Sequence, residues 1–121
     1  MVAAIESYKD LIVWQKARQL SKGLYEITAS FPPHELYGMT SQIRRAAISI
    51  IANLAEGSVR STRKDFCHFV VIAYGSATEL EALLLLACDL NHLKPDAHAK
   101  LAADLKEILK MLNALRASLK D

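Results

Sequence analysis

The sequence predicts an all-α fold: an antiparallel up-down-up-down four-helix bundle occupying residues 1–121 as a single domain. Three observations carry this expectation. Hydrophobic residues make up 52% of the chain while glycines and prolines number only four and three, a composition of packed helices rather than of sheets or disorder. Three breaks, at Phe31-Pro32-Pro33, at Gly57 to Ser61 and at Lys94-Pro95, divide the chain into four segments. Within each segment apolar side chains recur at spacings of three and four, the helical period. A chain of 121 residues is long enough to bury a core without disulfides or metals.

The first helix is expected from Asp10, as a side-chain cap, to about Ser30. Leu11, Trp14, Ala17, Ser21, Leu24, Thr28 and Phe31 follow the repeat and mark its buried face, with Trp14 as a core anchor. The prolines then end it, because proline removes a donor and disfavours helix in the residue before it.

The second helix is expected from about Glu35 to Gly57, where glycine supplies a left-handed cap. Arg45, Ser49, Asn53 and Glu56 form a polar stripe, and Ile43, Ala47, Ile50 and Leu54 the opposite, buried face. Ile48, Ile51, Ala52 and Ala55 extend the apolar arc beyond what one core requires, and Arg44 lies inside that second arc. Apolar surface left over after a bundle forms marks a partner surface, most simply a second copy. This predicts a homo-oligomer with Arg44, Ile48, Ile51 and Ala55 at the interface; the competing reading is the central helix of a monomer.

Thr62 and Asp65 have capping-box spacing and start the third helix. Phe66, Phe69, Ile72, Ala73, Leu80, Leu83, Leu84, Ala87 and Leu90 give it one stripe of roughly seven turns. Gly75 interrupts it, and a mid-helix glycine predicts a neighbouring helix packed close against bare backbone. Glu79 and Glu81 stand in this apolar helix, so a structural ion pair with Arg44 or Arg45 is expected, unless both carboxylates are solvated. In the fourth helix Pro95 suits the first turn, and Leu101, Leu105, Ile108, Leu112, Leu115 and Leu119 form a seam.

The net charge of +2 does not by itself indicate a nucleic-acid partner. Its distribution is more informative: Gln42 to Phe66 holds five basic residues against two acidic ones, a local excess of three. Arg60, Arg63 and Lys64 surround the start of the third helix, whose free amides attract anions, so phosphate docking is expected there, with Arg45 as an additional contact.

No enzyme chemistry is legible. The glycines stand singly, so no phosphate loop is present. His34 and Glu35 begin a zinc-protease-like motif, but Gly38 occupies the second histidine's place. Cys67 and His68 are adjacent on a helix and point about 100° apart. No Glu has a His three residues on, so the di-iron bundle pattern is absent. The expectation is a non-enzyme with no metal and no cofactor, and with His68, His92 and His98 at the surface or its boundary. Cys67 and Cys88 lie 21 residues apart in one helix, roughly 30 Å, and cannot pair. The opening MVAAIESYKDLIVW lacks a signal-peptide core, and Glu79 and Glu81 interrupt the most apolar run, so no membrane partner and a cytoplasmic, reducing setting are expected.

These residues resemble the four-helix-bundle proteins encoded in intervening sequences of bacterial 23S ribosomal RNA genes. The likeness spans about residues 8–81. It rests on Tyr8, Lys9, Asp10, Leu11 and Trp14; on Phe31, Pro32, Glu35, Tyr37 and Gly38; on the gapless run QIRRAAxSIxxNxAEG from Gln42 to Gly57, where x marks positions that do not carry the likeness; and on Gly75, Ser76, Glu79, Leu80 and Glu81. The resemblance implies a homopentameric ring and, from gene location, an association with ribosomal RNA. The chain is also similar to the accessory protein of diversity-generating retroelements, a basic pentamer that binds nucleic acid and a reverse transcriptase, although the charge here is far weaker. The function expected is therefore an oligomeric adaptor for RNA or a ribonucleoprotein; the alternative is an oligomeric scaffold whose ligand is another protein.

Overall fold

The computed structural model describes residues 7–120, which form four α-helices: α1 (Ile12–Thr28), α2 (Met39–Ser58), α3 (Arg63–Asp89) and α4 (Pro95–Leu119). Their order around the bundle follows from which helices touch. α2 packs most extensively on α3, α3 on α4, α1 on α2, and α1 closes the ring against α4 with the narrowest contact. Every contact pair runs antiparallel. Arg45 lies opposite Glu79 and Ser49 opposite Ser76 across α2 and α3. Trp14 meets Ile51 while Arg44 reaches back to Tyr25 across α1 and α2. Cys67 faces Arg116 across α3 and α4, and Lys16 faces Glu107 across α1 and α4. The topology is the expected up-down-up-down bundle.

The core is the sum of one stripe per helix. Val13, Ala17, Leu20 and Leu24 come from α1, and Ile43, Ala46, Ala47, Ile50 and Leu54 from α2. α3 supplies Val70, Ala73, Ala77, Leu80, Leu84 and Ala87, and α4 supplies Leu101, Leu105, Ile108 and Leu112. Six of the seven residues expected to line α1 are buried, and Trp14 is half-buried. On α3 the expected stripe is displaced at its edges, leaving Ile72 and Leu90 exposed.

The helix ends differ from the sequence expectation at three places. Asp10 does not cap α1: its carboxylate accepts from the Ser7 amide at 3.2 Å and closes a single 3-10 turn, Tyr8–Asp10, so α1 starts at Ile12. α2 starts at Met39 rather than Glu35, because Pro33–Glu35 also form a 3-10 turn. There Glu35 Oε1 accepts the Met39 amide at 3.3 Å, standing in for a capping side chain. Gly38 makes room for it, since a Cβ at that position would lie 2.8 Å from the same oxygen.

The third difference concerns Gly57. No glycine among the described residues has positive φ, and Gly57 remains helical inside α2. It serves close packing instead, because a Cβ there would lie 2.7 Å from Phe69 Cβ and 2.9 Å from Phe66 Cδ1. The left-handed residue is Asn91, at φ 62°, just beyond α3. Its amide donates to Cys88 O at 3.0 Å and the His92 amide to Ala87 O at 2.9 Å, the paired bonds of a Schellman motif. By contrast, Thr62 caps α3 as expected, its hydroxyl accepting from the Asp65 amide at 3.1 Å.

Gly75 has no close helix beside it: an added Cβ would meet nothing within 4 Å. Gly75→Ala is therefore expected to stabilise the folded chain by up to about 1 kcal/mol, the propensity difference between the two residues in a helix interior. Urea denaturation of the two proteins at equal concentration checks this, and a loss of stability would mean that something packs on Gly75.

Candidate functional site

Two surfaces concern function: the basic residues around the α2–α3 turn, and the apolar faces that the bundle leaves uncovered.

The basic residues are largely engaged within the chain. Arg60 pairs with Glu56 at 2.6 Å, one helical turn away, and its guanidinium lies 4.6 Å from the Phe69 ring centre. Arg63 donates to the Ser118 carbonyl near the end of α4, a position where orphan carbonyls and the helix dipole favour a cation. Lys64 is exposed and has no ion-pair partner among the described residues. These three share one end of the bundle. Arg45 is not with them: it lies roughly 20 Å back along α2, pairing with Glu79 at 2.6 Å and Gln42 at 2.8 Å.

The expected ion pair between Arg44 and the α3 glutamates is replaced by a different arrangement. Arg44 Nε donates to Thr28 Oγ1 at 2.9 Å and Nη2 to the Tyr25 carbonyl at 3.2 Å, and the guanidinium sits 4.5 Å from the Tyr25 ring centre. The last turn of α1 presents carbonyls without helical partners, and they attract a cation more closely than a glutamate on the far side of α2 does. Arg44 is thus a clasp between α1 and α2. Arg45 takes Glu79, while Glu81 is exposed and unpaired among the described residues. The Arg45–Glu79 pair is itself substantially exposed, so it contributes at most about 1 kcal/mol.

The predicted interface residues of α2 are divided. Ile48 is 44% exposed and Ala52 is exposed, whereas Ile51 and Ala55 are half-buried. Ile51 packs against the core, and its carbonyl takes the Trp14 indole N–H at 3.2 Å. The larger uncovered apolar surface lies on α3. Val71, Gly75, Thr78, Ala82 and Leu85 follow each other at spacings of four and three along one exposed line, flanked by Ile72 and Leu86. Leu85 is 55% exposed.

A signal for this face existed in the sequence. VVIA and LLLLA are apolar around the whole helix, and such a helix wants cover on all sides. Glu79 and Glu81 do not offset it: α3 is long and apolar enough to cross a membrane by length and composition alone, with only 28% of its most apolar stretch buried in the bundle.

At the opposite end of the molecule, His92 Nε2 lies 2.8 Å from Glu35 Oε2, with side chains 12% and 19% exposed. His92 is thus a boundary residue, as expected. The hydrogen bond to His92, followed by that from the Met39 amide, holds the Glu35 carboxyl below the usual carboxylate range. Sequence spacing could not pair residues 57 positions apart.

The fold and these surfaces define a class: a small helical bundle with one helix only half covered and a modest basic turn at one end. The sequence profile of the 23S rRNA-intervening sequence protein family matches residues 9–114, and the chain belongs to that family. It is also similar to a crystal structure of a protein of unknown function from the S23 ribosomal protein family of Bacteroides thetaiotaomicron VPI-5482. The two are 25% identical with a TM-score of 0.77, covering 86% of this chain and 97% of the other. Comparison with curated proteins gives no match.

Proposed function

We propose that the chain is a non-enzymatic, cytoplasmic bundle that self-assembles through the exposed faces of α3 and α2, forming a scaffold that contacts RNA or a ribonucleoprotein. The observation that carries the first half is the line Val71, Gly75, Thr78, Ala82 and Leu85 with its flanking Ile72 and Leu86 on α3; on α2, Ile48 and Ala52 are also exposed. An uncovered apolar face of this kind favours burial against a partner, most simply a second copy. A pentamer is the assembly that the family resemblance suggests.

The RNA half is supported by the family's name and by the cluster of Arg60, Arg63 and Lys64. Contacts within the chain occupy both arginines, so each copy binds weakly, and repetition around an assembly is what would raise the affinity. The exposed apolar surface equally favours a protein ligand, which is the second reading.

Light scattering of the wild type against a Val71→Glu/Leu85→Glu variant tests the assembly. The expected result is a multiple of 13.4 kDa for the wild type and a folded 13.4 kDa species for the variant. A wild-type monomer at micromolar concentration would refute self-assembly. A gel-shift titration with structured RNA at low salt tests the other half: binding should weaken steeply with salt and further in Lys64→Glu. Without a saturable complex, the protein-scaffold reading replaces it.

A further inference from the structure

His34, Glu35 and His92 form the one grouping of imidazole and carboxylate donors among the described residues that converges closely enough to share an ion, their donor atoms lying within 4.8 Å of one another. We propose that they bind a divalent transition-metal ion, zinc in the first instance, through two imidazole nitrogens and one carboxylate.

The chemistry of the donors fits. Two histidines and one carboxylate make a common open zinc set, with water completing the coordination. Ligands about 2.0–2.1 Å from a tetrahedral ion stand roughly 3.3 Å apart. The Glu35–His92 pair, now at 2.8 Å, opens by roughly half an ångström to admit the ion, while His34 closes in. His34 is exposed and makes no hydrogen bond among the described residues, so its ring is free to turn.

The other two donors are already oriented by neighbours, as metal ligands generally are. Glu35 keeps its second oxygen on the Met39 amide. Phe31 packs against the His92 ring with centroids 5.6 Å apart, and the Schellman turn at Asn91 fixes where that ring projects. The ion would join the α1–α2 connection to the α3–α4 connection, two segments with no covalent link at that end of the bundle.

The test is zinc titration of the full chain by calorimetry, alongside His34→Ala and His92→Gln, with Glu35 left in place because it caps α2. The wild type is expected to take up one Zn2+ per chain and to gain at least about 5 °C in Tm at saturation. Each variant should bind at least about tenfold more weakly, and His34→Ala, whose side chain is exposed, should keep its metal-free Tm close to wild type. Co2+ in place of zinc should give visible absorption that both variants lose. Absence of saturable binding to the wild type at about 100 times the protein concentration would overturn the proposal. So would undiminished affinity in both variants, which would place the ion on Cys67, Cys88 or another histidine. Neither outcome bears on self-assembly, which involves the opposite surface chemistry.

Discussion

Replacing Leu54 with alanine is expected to lower the unfolding free energy by about 2–5 kcal/mol, a large share of the roughly 5–15 kcal/mol that holds a domain of this size. Leu54 is completely buried on the α2 face that meets the core, and α2–α3 is the most extensive contact in the bundle. Its neighbours along the stripe, Ile50 and Ile43, are equally buried, and backbone collapse into the gap is resisted by helices on two sides. The cost should therefore fall toward the upper part of that range, since a site that cannot relax retains its cavity. Urea denaturation followed by circular dichroism reads it as a lowered midpoint with an unchanged slope. Protein concentration must be held fixed, because any assembly adds concentration-dependent stability.

Gly57→Ala is expected to destabilise the chain by about 1–3 kcal/mol, although alanine is the better helix former. The new methyl would sit 2.7 Å from Phe69 Cβ, an atom that cannot move without its backbone. α3 must then retreat from α2 near the turn, and the contacts of Phe66 and Val70 weaken with it. Overpacking exceeds the propensity gain of about 1 kcal/mol, so the net sign is negative. The same substitution at Gly75 has the opposite expected sign, which makes the pair an internal control: identical chemistry in two helices, distinguished only by what stands opposite. A Gly57→Ala protein as stable as wild type would mean that α2 and α3 do not approach this closely.

The number, order and buried stripes of the helices were legible in the sequence because the helical period is local and each helix has a strong apolar line. Leu101, Leu105, Ile108 and Leu112 are the plainest case. The helix ends were less legible, because glycine can serve either a cap or a close contact and only the opposing element decides. Gly57 faces two phenylalanines, Gly38 faces a carboxylate, and the left-handed turn fell to Asn91 instead.

The polar residues show the same limit. Arg44 and Arg45 are adjacent in sequence but lie about 100° apart on the helix, so one reaches α1 and the other α3. Which of them would meet Glu79 depends on the rotation of α2 about its axis, and a single sequence does not encode that openly. The grouping of His34 and Glu35 with His92 depends on where two connections meet, which no spacing rule within one helix can reveal.

The chain contains a single tryptophan, and its position has a practical consequence. Trp14 is held edge-on to Tyr8 and donates its indole N–H to a carbonyl of α2. Its fluorescence therefore reports the seating of α1 on α2 and little else. If α1, which closes the ring with the narrowest contact, detaches before the α2–α3–α4 unit melts, the emission shift will precede the loss of helical dichroism, and the two probes will trace separate transitions.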